Sequence, residues 1–150
     1  MRRTPWELKT NWRPGLPTLI TGMEAWKAKY FNAVEITDPA IAGDNADPDG
    51  DGQSNFQEYL SGTDPRDPQS YLRVGSAELI GGNQVTIRLG FNAVAGKTYT
   101  LLYRDSLNEG VWLKLADFAA QSMSTFVEFN DPAVGNAKSR YYRLVTPKQE

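Results

Sequence analysis

The run Asp47-Pro48-Asp49-Gly50-Asp51-Gly52-Gln53-Ser54-Asn55-Phe56-Gln57-Glu58 sets carboxylates at positions 1, 3, 5 and 12 of twelve residues. That spacing fits the calcium-loop pattern D-x-D-x-D-G-x5-E without a gap. Calcium is a hard cation that takes about 6–8 oxygen ligands at roughly 2.3–2.6 Å. Asp47, Asp49 and Asp51 converge on one point if the backbone between them curls. Gly52, which has no Cβ, permits the sharp turn. Gln53 is expected to offer its backbone carbonyl, Asn55 to bind directly or through water, and Glu58 to close the shell with both oxygens. Carboxylates packed this closely repel one another unless a cation sits among them. The other reading of the same residues is an acidic, solvated turn.

Other chemistry is narrowed by what the chain lacks. It has no Cys and no His, which removes disulfides, thiolate chemistry, His-based triads and the commoner zinc sites. Ser106, Ser122 and Ser124 therefore have no imidazole to activate them. Two carboxylates can do acid–base work, but the clustered ones are spaced for a metal. The chain is expected not to be an enzyme. The remaining candidates for ligand contact are aromatic. Trp112, Tyr103 and Tyr141 could stack on the pyranose rings of a polysaccharide, although Trp112 also suits a core position. Alternation sets Tyr141 and Tyr142 on opposite faces of a strand, so one should be buried and the other free. Asp44, Asp64 and Asp67 could hold a second ion, or simply serve turns and a helix stop.

These residues need elements to position them. Residues 1–20 carry Pro5, Pro14 and Pro17 with Trp6 and Trp12, and read as an extended lead-in. Thr21 could cap a helix from about Gly22 to Ala33, with Glu24 as the partner of a capping box. Trp26 and Tyr30, with Met23 and Val34, would share one face. Ile36 to Ala46 reads as an Asp-, Pro- and Gly-rich loop. A short helix is expected to start near Ser54, with Phe56, Tyr59 and Leu60 at helical spacing, and to stop at Gly62-Thr63-Asp64-Pro65.

From Tyr71 the hydrophobic period becomes two. Val85, Ile87, Leu89 and Phe91 alternate with polar or small residues, as do Tyr99, Leu101 and Tyr103. Further strands are expected at 71–80, 111–116, 124–130 and 140–146. The predicted fold is mainly β: an antiparallel β-sandwich of six or seven strands, preceded by a small helix–calcium loop–helix element. The expected divisions are 1–20, 21–70 and 71–150.

The 150 residues carry a net charge of −2, so nothing points to nucleic acid or a membrane surface. No apolar run is long enough to span a bilayer. Met1-Arg2-Arg3-Thr4-Pro5-Trp6 is not followed by the apolar segment of a leader. The chain is expected to be a piece of a larger secreted protein.

Taken together, these residues resemble a module found at the ends of large secreted proteins of Verrucomicrobia and Planctomycetes. Trp26-Lys27-Ala28-Lys29-Tyr30-Phe31, Asp47 to Tyr59 and Gly62-Thr63-Asp64-Pro65 carry the resemblance. The loop is similar to a thrombospondin type 3 repeat, a relative of EF-hand and dockerin loops. Gly96-Lys97-Thr98-Tyr99-Thr100, Arg104-Asp105-Ser106-Leu107, Trp112 and Tyr141-Tyr142-Arg143-Leu144 resemble a fibronectin-type-III-like sandwich. The resemblance implies calcium-stabilised structure, an extracellular or surface location and a non-catalytic accessory role beside neighbouring domains. The expected function of the module is carbohydrate binding, and the alternative is a purely structural spacer or protein-interaction module rigidified by calcium. A single loop with Ser54 at the pairing position suits a constitutive clip, not a paired sensor.

Overall fold

A computed structural model describes residues 22–80, 86–131 and 139–149. The lead-in, Thr21, Val85 and the turn at Gly81-Gly82-Asn83 lie outside them. Among the described residues, six strands form two three-stranded antiparallel sheets. Strands β1 (Ser76–Ile80), β2 (Thr86–Ala93) and β5 (Thr125–Asp131) lie in the order β1-β2-β5. Strands β4 (Leu113–Phe118), β3 (Tyr99–Arg104) and β6 (Tyr141–Val145) lie in the order β4-β3-β6. The fold is the expected β-sandwich.

Alternation fills its interior. Leu89, Phe91 and Ala93 point inward from β2 and are almost wholly buried. Phe91 meets Tyr99 and Phe118 edge-on at 5.2 and 5.1 Å, and Phe118 meets Phe129 at 5.9 Å. Tyr99 is the largest fully buried side chain, and its hydroxyl accepts from the Val94 N–H at 2.8 Å. Strand β3 is buried on its outer face too. After β6 the chain turns back across it, with Thr146 Oγ1 donating to the Thr98 carbonyl and the Gln149 N–H donating to Thr100 Oγ1.

Two strands differ from expectation. The first begins at Ser76, not residue 71, because the segment before it is turn and coil closed against β2 by one bond, Gly75 N–H to the Gly90 carbonyl. The fourth runs Leu113–Phe118, since Gly110 adopts φ 85° in the preceding turn.

Ahead of the sandwich, the described residues hold three short helices: α1 (Gly22–Tyr30), α2 (Pro39–Ala42) and α3 (Asn55–Ser61). Helix α1 stops at Tyr30 because Asn32 turns its side-chain oxygen onto the N–H groups of Val34 and Glu35, an Asx turn that competes with the helix. Val34 is consequently off the shared face and 79% exposed. Trp26 packs instead against Tyr30, Phe31 and Tyr59. Residues 36–46 are not all loop. Glu35–Thr37 forms a 3-10 turn, and Asp38 caps α2 through the Ala40 N–H with Pro39 in the first turn; proline suits that position, where no donor is needed.

Helix α3 has a capping box between Ser54 and Gln57 and ends at Gly62, whose φ is +79°. That glycine also touches the sandwich. A Cβ there would lie 2.8 Å from Val94 Cγ1 and 3.1 Å from Lys97 Cε. Beside it, Lys97 Nζ donates to the Tyr59 carbonyl at 2.6 Å. Gly62→Ala is expected to cost at least about 1–2 kcal/mol for the left-handed backbone alone, read as a lower urea midpoint. An unchanged midpoint would show that the junction yields freely.

Candidate metal centre

Two glycines curl the loop. Gly50 and Gly52 take φ of 77° and 91°, with open space where a Cβ would sit, so backbone conformation is what requires glycine there. The curl is held by the acidic side chains themselves. Asp47 accepts from the N–H groups of Gly50 and Gly52 at 2.8 and 2.9 Å, Asp49 from Asp51 at 3.1 Å, and Asp51 from Gln53 at 2.7 Å. One oxygen from each of Asp47, Asp49 and Asp51 lies within 4.8 Å of the other two.

These bonds engage only some of the oxygens. Asp49 Oδ2 and Asp51 Oδ2 are buried without a hydrogen-bond partner, as are Asn55 Oδ1 and both oxygens of Glu58. Helix α3 explains the last three. Asn55, Glu58 and Ser61 recur every third residue and form its buried face, a polar face on a helix that leaves Phe56 46% exposed. Phe56 therefore does not join Tyr59 and Leu60 in a packed stripe. Asn55 is oriented by two donations from Nδ2, to the carbonyls of Ile41 at 2.9 Å and Gly43 at 2.8 Å. Its backbone N–H closes on the Ala46 carbonyl. Asn55 thus clamps the approach segment onto α3 and leaves Oδ1 for another partner. The spacing of residues 55 and 58 on one helix face carried this signal.

Glu58 is fully buried. Burial is the main reason that its pKa is pushed up to about 8, and the nearby Asp49 and Asp51 charges add to the effect. The Thr63 hydroxyl pulls the other way, but it is engaged with Ser61 Oγ at 2.7 Å, and neither Glu58 oxygen receives a hydrogen bond. Burial also raises Asp49, with the Asp51 and Asp47 charges contributing. A neutral ligand set would not need so many dry acidic oxygens. Burying a carboxylate without a partner is costly, and a divalent cation is the partner that suits oxygen ligands of this kind.

The pH dependence without metal follows. Unfolded, Glu58 releases its proton near 4.5, and folded near 8. Between those values the folded state holds the extra proton, so stability falls as pH rises. Thermal unfolding in chelator is expected to shift downward between about pH 5 and 8, and Glu58→Gln should flatten that slope. Equal slopes for the two proteins would place the titration elsewhere.

Asp44, Asp64 and Asp67 do not gather. Asp44 pairs with Lys27 at 2.6 Å. Asp64 accepts from the Arg66 N–H and Asp67 from the Gln69 N–H, each at 3.0 Å, which is turn chemistry. Set against known proteins, the chain finds no match: no family model, curated protein or solved structure aligns with it.

The aromatic candidates are also dispersed. Tyr103 carries the Arg140 guanidinium over its ring at 4.4 Å, and Trp112 carries that of Arg104 at 4.5 Å. All of Tyr103, Trp112 and Tyr141 are half-buried. The depression beside them, of about 500 Å³, is lined by Tyr103 but by neither Trp112 nor Tyr141. Tyr142 is anchored, its hydroxyl donating to the buried Asp131, while its neighbour Tyr141 is half-buried rather than free.

Sequence reading missed the network around Asp131. Arg140 donates to both oxygens of Asp105 at 2.7 and 3.1 Å and to Asp131 at 2.9 Å. Asp131 comes from β5, Tyr142, which donates to it, from β6, and Asp105 from the segment after β3, and nothing in local spacing joins them.

Proposed function

We propose that Asp47–Glu58 is a constitutive calcium clip, and that the chain is a non-catalytic module whose helical element is locked onto a β-sandwich by that ion. The observation that carries this reading is Glu58, fully buried with neither oxygen partnered. Asp47, Asp49, Asp51, Asn55 and Glu58 would hold the ion through side-chain oxygens, and Gln53 through its carbonyl. The ion would supply charge compensation, not chemistry. Helix α3 bears on the sandwich through Gly62 and Lys97, so a filled site would stiffen the junction with whatever precedes it.

Extracellular calcium modules work at roughly 10⁻⁴–10⁻³ M, which fits a secreted or surface protein better than a cytosolic sensor. The spacer reading is favoured over polysaccharide binding because Arg140 and Arg104 each cover a ring face that a sugar would use. Calorimetric titration of the metal-free chain should show one calcium per chain, with magnesium much weaker because it demands a tighter octahedral shell. No calcium heat up to about ten times that concentration range would sink the proposal.

A further inference from the structure

Strand β1 accompanies its neighbour only part of the way. It pairs with β2 from Thr86 to Gly90, and the Gly75 N–H closes on the Gly90 carbonyl. Strand β2 runs on to Ala93. Alternate residues of a strand turn their backbone groups toward the same neighbour. The N–H and carbonyl of Asn92 therefore face the side that the Gly90 carbonyl faces, and among the described residues no strand stands opposite them there. The end of α3 and the segment leading into β1 wall off this place instead. They leave a hollow of about 420 Å³, bordered by Thr63, Gln69, Tyr71, Arg73, Asn92 and Phe126 among others. Small-molecule sites span roughly 300–1,000 Å³.

Phe126 is the aromatic wall. It pairs with Asn92 across β2 and β5, so both stand on the outer face of the sheet, away from Phe91 and Ala93. A Cβ on Gly90 would lie 2.3 Å from Phe126 Cζ and 2.5 Å from Ser76 Oγ. The ring thus leans diagonally over β2, its tip in space that only a glycine leaves. It is 52% exposed. Among the described residues no cation lies over it, whereas Tyr103 and Trp112 each carry one. A ring held at its tip and half exposed suits the apolar face of a pyranose. The cation of the hollow belongs to another ring. The Arg73 guanidinium lies over Tyr71 at 4.6 Å and donates to the Tyr71 hydroxyl. Among the described residues no carboxylate pairs with Arg73, while Arg66, Arg88 and Arg140 each have one. Stacking steadies the guanidinium and leaves N–H groups for a two-point carboxylate contact.

We propose that this hollow binds an acidic saccharide, with a pyranose against Phe126, its hydroxyls on the Asn92 main-chain and side-chain groups, and its carboxylate on Arg73. A peptide strand fits less well. Of Phe91, Asn92 and Ala93, which β2 adds beyond Gly90, only Asn92 turns its backbone to the open side, too little for a ladder. A neutral sugar would leave the Arg73 charge without a counterpart. None of Arg73, Asn92 and Phe126 belongs to the calcium loop, so this site and the clip hold or fail separately.

Chemical shifts of the full chain, followed in calcium-containing buffer during titration with a linear trimer of galacturonic acid, test this. The Asn92 amide and the Phe126 ring should shift together and saturate with one dissociation constant. A trimer of galactose should bind at least ~10-fold more weakly, as should the acidic trimer to Arg73→Gln, since a charge-assisted contact is lost. Phe126→Ala should weaken both trimers. Both side chains are exposed, so the variants keep the fold, which unchanged shifts of Phe91 and Tyr99 report. No shift at Asn92 or Phe126 with either trimer overturns the proposal. So do equal affinities for the two trimers, or shifts centred on Tyr103 and Trp112. Shifts confined to Asp47–Glu58, which would mean that the trimer meets the bound calcium, overturn it as well.

Discussion

Calcium at about 10 mM, 100 times a dissociation constant of about 10⁻⁴ M, is expected to raise the melting temperature of the metal-free chain by about 5–10 °C, and to leave a Glu58→Gln variant nearly unmoved. A ligand at 100 times its dissociation constant stabilises by about 2.7 kcal/mol, and each kcal/mol is worth roughly 2–4 °C in a chain of this size. Glu58→Gln removes one charge and one acceptor from the wholly buried position whose two oxygens lack partners. Its effect has opposite signs in the two conditions. With calcium present the variant should melt below wild type. In chelator near pH 8 it should melt at or above wild type, since it spares the fold a buried, unpaired carboxylate. A merely structural Glu58 would give a variant that is less stable in both conditions. Exposed Glu109→Gln, far from the loop, is the control and should respond to calcium as wild type does.

The second large effect is expected at Arg140, outside the loop altogether. Its side chain is 7% exposed and that of Asp131 is fully buried. Asp105 and Asp131 hold the guanidinium firmly cationic, and the Tyr142 hydroxyl, raised by burial first and then by Asp131, stays a donor. Removing one partner of a buried ion pair typically costs about 3–5 kcal/mol, because the other charge stays buried without it. Arg140→Ala is expected to destabilise by about that amount, a large share of the roughly 5–15 kcal/mol that holds a typical domain. Arg140→Lys should recover only part of it, since an ammonium cannot make the forked contact to Asp105. Urea unfolding followed by circular dichroism reads all three. A loss below about 1 kcal/mol for Arg140→Ala would mean that the pair behaves as a surface bridge.

These two sites differ in how far they could be read in advance. The loop is local. Asp47, Asp49, Asp51, Gly52 and Glu58 sit within one run, and a turn can be read wherever glycine and side-chain acceptors recur at fixed offsets. Ser54 and Gly62 bound α3 for the same reason, as cap and stop are short-range chemistry. Asp38-Pro39 is an equally local helix start, and the short α2 was overlooked only because Asp, Pro and Gly also suit loops. Arg140 is different. Asp105 lies 35 residues from it along the chain, and no offset joins them.

The order of elements, the alternation that builds the sheets and the turn that gathers three aspartates belong to the sequence, because each depends on neighbours a few residues away. Burial does not. Period two set Leu89 and Phe91 on one face of β2, but not that both would be almost wholly buried. The calcium pattern paired Asn55 and Glu58 as ligands, but not that they would share a dry helix face. Whether a side chain is covered depends on elements brought from elsewhere in the chain, and that covering turns a solvated acidic turn into a set of buried oxygens in need of a partner.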